Sequence, residues 1–213
     1  MCPVPRKAGC WTGVVSGVGG ARVKDTGVHR FNDLHTGRTT SPTSDWIVSS
    51  CPAGTAGQAV LDCVNDVLSD STDAWNLSPR VRRLAIPLLH YGQLDAHNMD
   101  FLIASRAGAV REVSAVGFVA VETLRCAPSD NAVNARSLHL HGIYVRARDR
   151  RNGIGRILFH AVIEMALARA LTRIETNAWR DSATFFERLG FSLAPGACRS
   201  EPPYRMMKSL AAS

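Results

Sequence analysis

Two short groups of residues are of types and spacings that can do chemistry. The first reads Arg-Arg-Asn-Gly-Ile-Gly-Arg at residues 150–156, after a stretch typical of a strand and before one typical of a helix. Glycines let backbone N–H groups approach a ligand closely, and a helix that begins here points the positive end of its dipole at that ligand. The segment is therefore predicted to bind an anion, although two glycines also fit a simple strand-to-helix turn.

The second group is the pair His139 and His141, which precedes the turn on the same predicted strand. Residues two apart on a strand face the same side, so the two imidazoles can act together as a proton route. The alternatives are a hydrogen-bonded structural pair and half of a metal site. No His-Glu-x-x-His or paired cysteines supply further ligands, so no metal is predicted.

The elements around these groups predict an α/β (α+β) fold. Residues 137–146, 153–170 and 172–178 read as strand, helix and strand, and such a unit pairs its two strands in parallel. Pro87 is expected to bend or end the helix that starts after Ser78. The result is a mixed, mostly antiparallel sheet with one central parallel pair, flanked by helices. The other predicted elements are strands at 46–48, 100–105, 113–124, 191–193 and 204–209, and helices at 57–68 and 182–189.

The order of the motifs resembles the signature of the GNAT superfamily of N-acetyltransferases. Ile-Tyr-Val at 143–145 is followed by Arg-x-x-Gly-x-Gly at 150–155 and by Phe-Phe-Glu-Arg-Leu-Gly-Phe at 185–191. The resemblance implies an acyltransferase with a GNAT-like fold over about residues 45–210. In it, acetyl-CoA enters between the strands that hold Val145 and Ile174. The implied cofactor-binding residues are Ile143, Tyr144, Val145, Arg150, Arg151, Asn152, Gly153, Ile154, Gly155 and Arg156.

Around residues 137–156 the sequence is similar to arylalkylamine N-acetyltransferases, which carry a His-x-His pair ahead of the turn. This implies acetyl transfer to a small-molecule primary amine by direct attack, with His139 and His141 passing a proton through water. Relatives place a Tyr where this chain has Phe186, so the group that protonates the leaving thiolate is open: water, Tyr204 or none. The alternatives are a polyamine or protein N-acetyltransferase, or a non-catalytic acyl-CoA-binding regulatory module.

Composition narrows the class of partner. The 213 residues carry a formal net charge of +7, with 25 Lys and Arg against 18 Asp and Glu, which suits an anionic ligand. Nucleic acid is disfavoured because no aromatic-rich basic strand or zinc pattern accompanies the charge. No uninterrupted apolar run of about 18 residues is present, so no membrane span is expected. Nothing in the sequence indicates an oligomeric state.

The chain is predicted to divide into a tail and a domain. Residues 1–44 are rich in Gly, Ser and Thr without a sustained period, which predicts a disordered or loosely attached tail. Residues 45–213 are the predicted N-acetyltransferase domain. Six scattered cysteines and the absence of a clean signal peptide favour a cytoplasmic protein, with organelle targeting by the tail as the alternative.

Overall fold

The architecture is a single mixed sheet with helices on both faces. The computed structural model describes residues 46–72, 75, 77–106, 115–125, 136–198 and 200–210. Within these ranges seven strands form one sheet in the order β1-β2-β3-β4-β5-β7-β6. They are β1 (Trp46–Cys51), β2 (Asp100–Arg106), β3 (Ala115–Arg125), β4 (Arg136–Val145), β5 (Arg173–Ala178), β6 (Ser192–Leu193) and β7 (Tyr204–Ser209). Only β4 and β5 pair in parallel among them, which confirms the predicted sheet.

Five α-helices lie in the described part of the chain: α1 (Gln58–Thr72), α2 (Pro79–Leu89), α3 (Gln93–Asn98), α4 (Ile154–Ala168) and α5 (Arg180–Arg188). Helix α2 begins as predicted, because the Ser78 side chain accepts the Val81 N–H and Pro79 occupies the first turn. It ends two residues beyond Pro87. The six-residue helix α3 was not predicted, since so short a segment shows no apolar period.

The alternation of side chains along the strands separates two cores. On one face, which we call the α4 face, α4 and α5 cover a cluster that includes Leu138, Leu140 and Ile174. On the other, the α1 face, α1 and α3 cover a cluster that includes Phe101 and Phe118. Successive strand residues point to opposite faces, so Leu138 and Leu140 fix the direction of the residue between them.

Several predictions about the whole chain can be compared with the structure only in part. The predicted tail, residues 1–44, lies outside the described residues, and so do the first two residues of the strand predicted at 113–124. No helix in the described part of the chain is long and apolar enough to cross a membrane. Among the described residues, no three His, Cys, Asp or Glu side chains are grouped to hold a metal ion.

Candidate active site

The centre of the site is the fork where the two parallel strands separate. Strands β4 and β5 pair from Ser137 opposite Arg173 to Leu140 opposite Thr176. At the last pair the Thr176 hydroxyl donates to the Leu140 carbonyl at 2.8 Å, which closes the ladder. Strand β4 continues to Val145 without β5 beside it. Beyond Leu140 its β5-facing edge therefore has no strand partner among the described residues, and its backbone can bind a ligand.

The turn after β4 has the geometry of an anion site. Gly153 caps α4 with φ +79° and Arg151 has φ 64°, and glycine adopts such left-handed dihedrals most readily. The Arg156 N–H is the first near the helix start to pair, with the Gly153 carbonyl at 2.9 Å. The N–H groups of Ile154 and Gly155 have no backbone acceptor within the described residues. Unpaired N–H groups at the positive end of a helix favour an anionic ligand.

The turn is fastened to helix α1. The Arg150 Nε donates to the Val145 carbonyl at 3.3 Å, and its guanidinium also donates to the carbonyl of Ser71 at the end of α1. One residue earlier in α1, Asp70 accepts the Ala147 N–H at 2.7 Å. The sequence predicted Arg150 as a cofactor contact, which stays a prediction, and the structure shows its guanidinium donating to two carbonyls of the protein.

A second arginine strengthens the same connection. The Arg146 Nε donates to the Ala115 carbonyl at 2.7 Å, and its guanidinium pairs with Asp66 of α1. Arg151 and Arg156, by contrast, are exposed at the start of α4. Of the four arginines, those two are placed to meet an anion from solvent.

Glycines 142 and 155 each allow a close approach of an aromatic ring. A Cβ at Gly155 would lie 3.4 Å from Phe185 Cζ, an ordinary contact, so α5 reaches the turn through this ring. A Cβ at Gly142 would lie 2.7 Å from the ring of Tyr144, which also stacks on Phe118 with centroids 5.0 Å apart. Burial raises the pKa of Tyr144, and its hydrogen bond with Tyr91 opposes part of that rise. The Tyr144 side chain thus belongs to the α1-face core, which leaves its backbone for a ligand.

The two histidines meet at the fork, as the sequence predicts. Leu140 pairs with Val121 and Gly142 with Ala120, so His141 is the extra residue of a β-bulge. The rings of His139 and His141 lie edge to face with centroids 4.7 Å apart. Since Leu138 and Leu140 belong to the other core, His139 points to the α1 face.

A glutamate completes the group, and sequence reasoning missed it. Glu122 of β3 pairs in register with His139, and its Oε2 lies 3.2 Å from Nε2 of His141. It is the one acidic residue in the apolar strand β3, which was a signal in the sequence. Its position beside the histidines depends on the register of β3 against β4 and on the bulge, which a pattern in one strand does not reveal.

A second carboxylate lies on the other side of His139. Glu175 of β5 is opposite His139, and it accepts from Arg205 at 2.9 Å and lies 2.9 Å from Nε of Arg173. Burial acts to raise the pKa of Glu175, but the hydrogen bond and charge of Arg205 and the charge of Arg173 outweigh it, so this pKa is lowered.

The ionisation of His139 is set by the same surroundings. Burial lowers the pKa of His139 from 6.5 to about 4, and the charge of His141 adds to the lowering. The charge of Glu175 works in the opposite direction, and that of Arg205 again lowers this pKa. His139 is therefore neutral at physiological pH.

The fold and the fork define a class of acyl-transferring enzymes. The model of the acetyltransferase (GNAT) family matches residues 64–191, more than half of the chain. The chain belongs to this family and is an acyltransferase of the N-acetyltransferase type. No curated protein sequence matches it.

Solved structures share the fold. The PaiA N-acetyltransferase of Thermoplasma acidophilum, solved with coenzyme A, is 14% identical with a TM-score of 0.54, over 70% of this chain and 92% of that one. A protein of Desulfovibrio desulfuricans assigned to the GNAT family is 18% identical with a TM-score of 0.52, over 77% and 99%.

Proposed function

We propose that this chain transfers the acetyl group of acetyl-CoA to a primary amine at the fork of β4 and β5. One observation carries the proposal: a single segment, residues 139–156, holds the histidine pair, the open edge of β4 and the glycine turn in that order. A thioester, a pantetheine arm and a pyrophosphate follow one another in the same order in acetyl-CoA. The chain therefore offers a fitting group for each part of this co-substrate.

The residues of the turn fit the phosphates of coenzyme A. Pyrophosphate binds both backbone N–H groups and charged side-chain donors. The turn offers the free N–H groups of Ile154 and Gly155 and the exposed guanidinium groups of Arg151 and Arg156. The backbone of residues 143–145 would hold the pantetheine arm. Acetyl-CoA itself supplies the activated acyl group, and Arg150 would act by keeping the turn against α1.

The side chains at the fork fit an amine acceptor. An alkyl amine with a pKa of about 10 arrives protonated, and the ammonium must lose a proton before its nitrogen attacks a carbonyl carbon. The carboxylates of Glu122 and Glu175 lie on either side of the histidine pair and would attract that cation. His139 and His141 provide the route by which its proton reaches water.

Two narrower statements belong to the same proposal. The backbone N–H near Ile143 would stabilise the tetrahedral oxyanion, as donors placed at a developing charge do. The acceptor would be an arylalkylamine, on the strength of the His-x-His pair ahead of the turn. Phe186 is 5% exposed among other phenylalanines and offers no acid, so the thiolate leaves without a tyrosine at this position.

Calorimetric titration with acetyl-CoA tests the cofactor site. Gly155→Ala should weaken acetyl-CoA binding at least about tenfold, because a methyl group would enter the phosphate turn, and tenfold corresponds to about 1.4 kcal/mol. The protein tolerates that methyl group, since its nearest neighbour would be 3.4 Å away. Gly57→Ala, at a glycine outside the turn where a Cβ would meet nothing within 4 Å, is the control. Wild-type protein that binds no acetyl-CoA would overturn the proposal.

Turnover with a panel of amines tests the acceptor. Thiol release from acetyl-CoA would be measured with 2-phenylethylamine, spermidine and a peptide with a free N-terminus. Highest kcat/KM with the arylalkylamine is the expected result, whereas preference for spermidine or the peptide would assign a different acceptor. Acetyl-CoA binding without turnover of any amine would identify a non-catalytic acyl-CoA-binding module.

A further inference from the structure

The two carboxylates beside the histidine pair are in different states. Glu175 is compensated by two guanidinium groups, with 2.9 Å contacts to Arg173 and to Arg205. Glu122 has no guanidinium partner within the described residues, and its carboxylate contacts Nε2 of His141 at 3.2 Å. The charge of Glu122 is therefore available to one imidazole, while the charge of Glu175 is shared with two guanidinium groups.

The two histidines also differ in their surroundings. His139 lies between Leu138 and Leu140 in sequence, opposite Glu175 of β5, and remains neutral because burial opposes its protonated form. The side chain of His141 is 27% exposed, at the bulge where β5 no longer covers β4. A proton on His141 is held by the Glu122 carboxylate at a partly exposed side chain, whereas protonation of His139 is opposed by burial, which the charge of Glu175 offsets only in part.

We propose that Glu122 is a positioning residue that makes His141, and not His139, the proton acceptor of the acetyl transfer. This rests on the proposed function. With the Glu122 carboxylate accepting from Nε2–H, the neutral imidazole carries its lone pair on Nδ1. Nδ1 then accepts the proton of the ammonium, directly or through one water, and the imidazolium is held by the carboxylate.

The protons of the reaction balance along this route. The acceptor R-NH₃⁺ gives one proton to Nδ1 of His141, and the nitrogen lone pair forms a bond to the thioester carbon. Collapse of the tetrahedral intermediate breaks the C–S bond, and the thiolate takes a second proton from the new N–H. His141 releases its proton to water, so the products are the amide, coenzyme A as thiol and one proton.

Two titratable groups lie against His141 among the described residues. On β3 the group is Glu122, and on β4 it is His139 at 4.7 Å between ring centroids. The charges on β5 and β7 lie beyond His139, where Glu175 is paired with its two arginines. Within the part of the chain that the structure describes, Glu122 is thus the only carboxylate in contact with His141, and its substitution removes that negative charge.

The test compares the pH profile of kcat in three variants. Glu122→Gln keeps an acceptor oxygen but removes the charge, and it should lower kcat at pH 7 by about tenfold to a hundredfold with KM for acetyl-CoA unchanged. The pH profile of kcat should change in Glu122→Gln, because the imidazole has lost the carboxylate that contacts its Nε2. Glu122→Asp should restore part of the rate. Glu164→Gln, at an exposed glutamate of α4, is the matched control.

A second readout does not depend on turnover. Nitrogen-15 shifts of the His141 ring should show Nε2–H in the wild type, and a mixture of tautomers in Glu122→Leu. A wild type that turns over amines while Glu122→Gln keeps its rate and profile would overturn the role of Glu122 alone. A wild type that neither binds acetyl-CoA nor acetylates any amine would overturn the proposed function itself.

Discussion

The glycine turn and the histidine cluster lie at opposite ends of one short segment, yet they are built differently. The turn takes its shape from one stretch of backbone, residues 150–156, with left-handed dihedrals at Arg151 and Gly153. The cluster is assembled from side chains of four strands, β3, β4, β5 and β7. A ligand site formed by backbone groups is determined by the local sequence. A site formed by side chains from several strands depends on the pairing register of those strands.

The first prediction would break the turn and leave the cluster intact. Gly153→Ala forces a Cβ onto a residue at φ +79°, which costs roughly 1–2 kcal/mol of stability. The N–H groups would also turn away from the ligand, and each charge-assisted hydrogen bond is worth about 1.5–3 kcal/mol. Acetyl-CoA affinity, measured by calorimetry, should fall roughly thirtyfold to a hundredfold.

Gly54 provides the matched control for this change. It has the same φ of +79°, and at both glycines a Cβ would meet no other atom within 4 Å. Gly54→Ala should therefore lose similar stability in urea unfolding while keeping its affinity for acetyl-CoA. Equal losses of affinity in the two variants would show that strain, and not the ligand site, explains the effect at Gly153.

The second prediction concerns the cluster and follows from the lowered pKa of His139. Its pKa is about 4 in the folded chain and 6.5 ordinarily, so the unfolded chain binds more protons between these values. Stability that is present above pH 6.5 is therefore lost as the pH falls toward 4, by about 2 kcal/mol between pH 7.5 and pH 5. Urea unfolding should show this extra loss in the wild type and not in His139→Gln. Parallel pH dependences would contradict the burial of a neutral imidazole.

What the sequence could predict follows the same division. The turn, α4 and β5 could be placed because glycines, apolar period and strand propensity act over a few residues. The proximity of His139 and His141 was also predictable, since it is a property of one strand. Glu122 could not be placed, because its position requires the β3–β4 register and the bulge at His141. The division of the chain near residue 45 stays a prediction.

Arg150 shows the same limit within the turn itself. Its position in an Arg-x-x-Gly-x-Gly motif implied a cofactor contact, and the structure adds a hydrogen bond from its guanidinium to the Ser71 carbonyl of α1. Sequence spacing places Arg150 in the turn, and the tertiary structure gives its guanidinium a partner in α1 that the spacing does not reveal.

The third prediction tests whether α1 positions the turn. Asp70→Asn weakens the acceptor of the Ala147 N–H, which lies 2.7 Å away. A turn held less firmly should raise KM for acetyl-CoA by roughly threefold to tenfold and leave kcat with saturating acetyl-CoA unchanged. Asp62→Asn, whose carboxylate contacts Gln58 on the exposed side of α1, is the control. A fall in kcat in Asp70→Asn would instead connect α1 to the histidine cluster.

The smallest expected effect on activity is at Phe186, the position at which the family resemblance implies a tyrosine. The Phe186 ring is 5% exposed and packs against Phe185 and Phe191 in the α4-face core, with centroids 5.4 and 5.3 Å apart. A hydroxyl added there in Phe186→Tyr should lower stability by about 1–3 kcal/mol if it finds no partner. The kcat should change by less than about threefold, because a thiol with a pKa near 8.5 is a good leaving group without an acid. An increase in kcat of tenfold or more would show that the ring reaches the fork, and the α4-face core would then contribute to a site that the α1 face otherwise supplies.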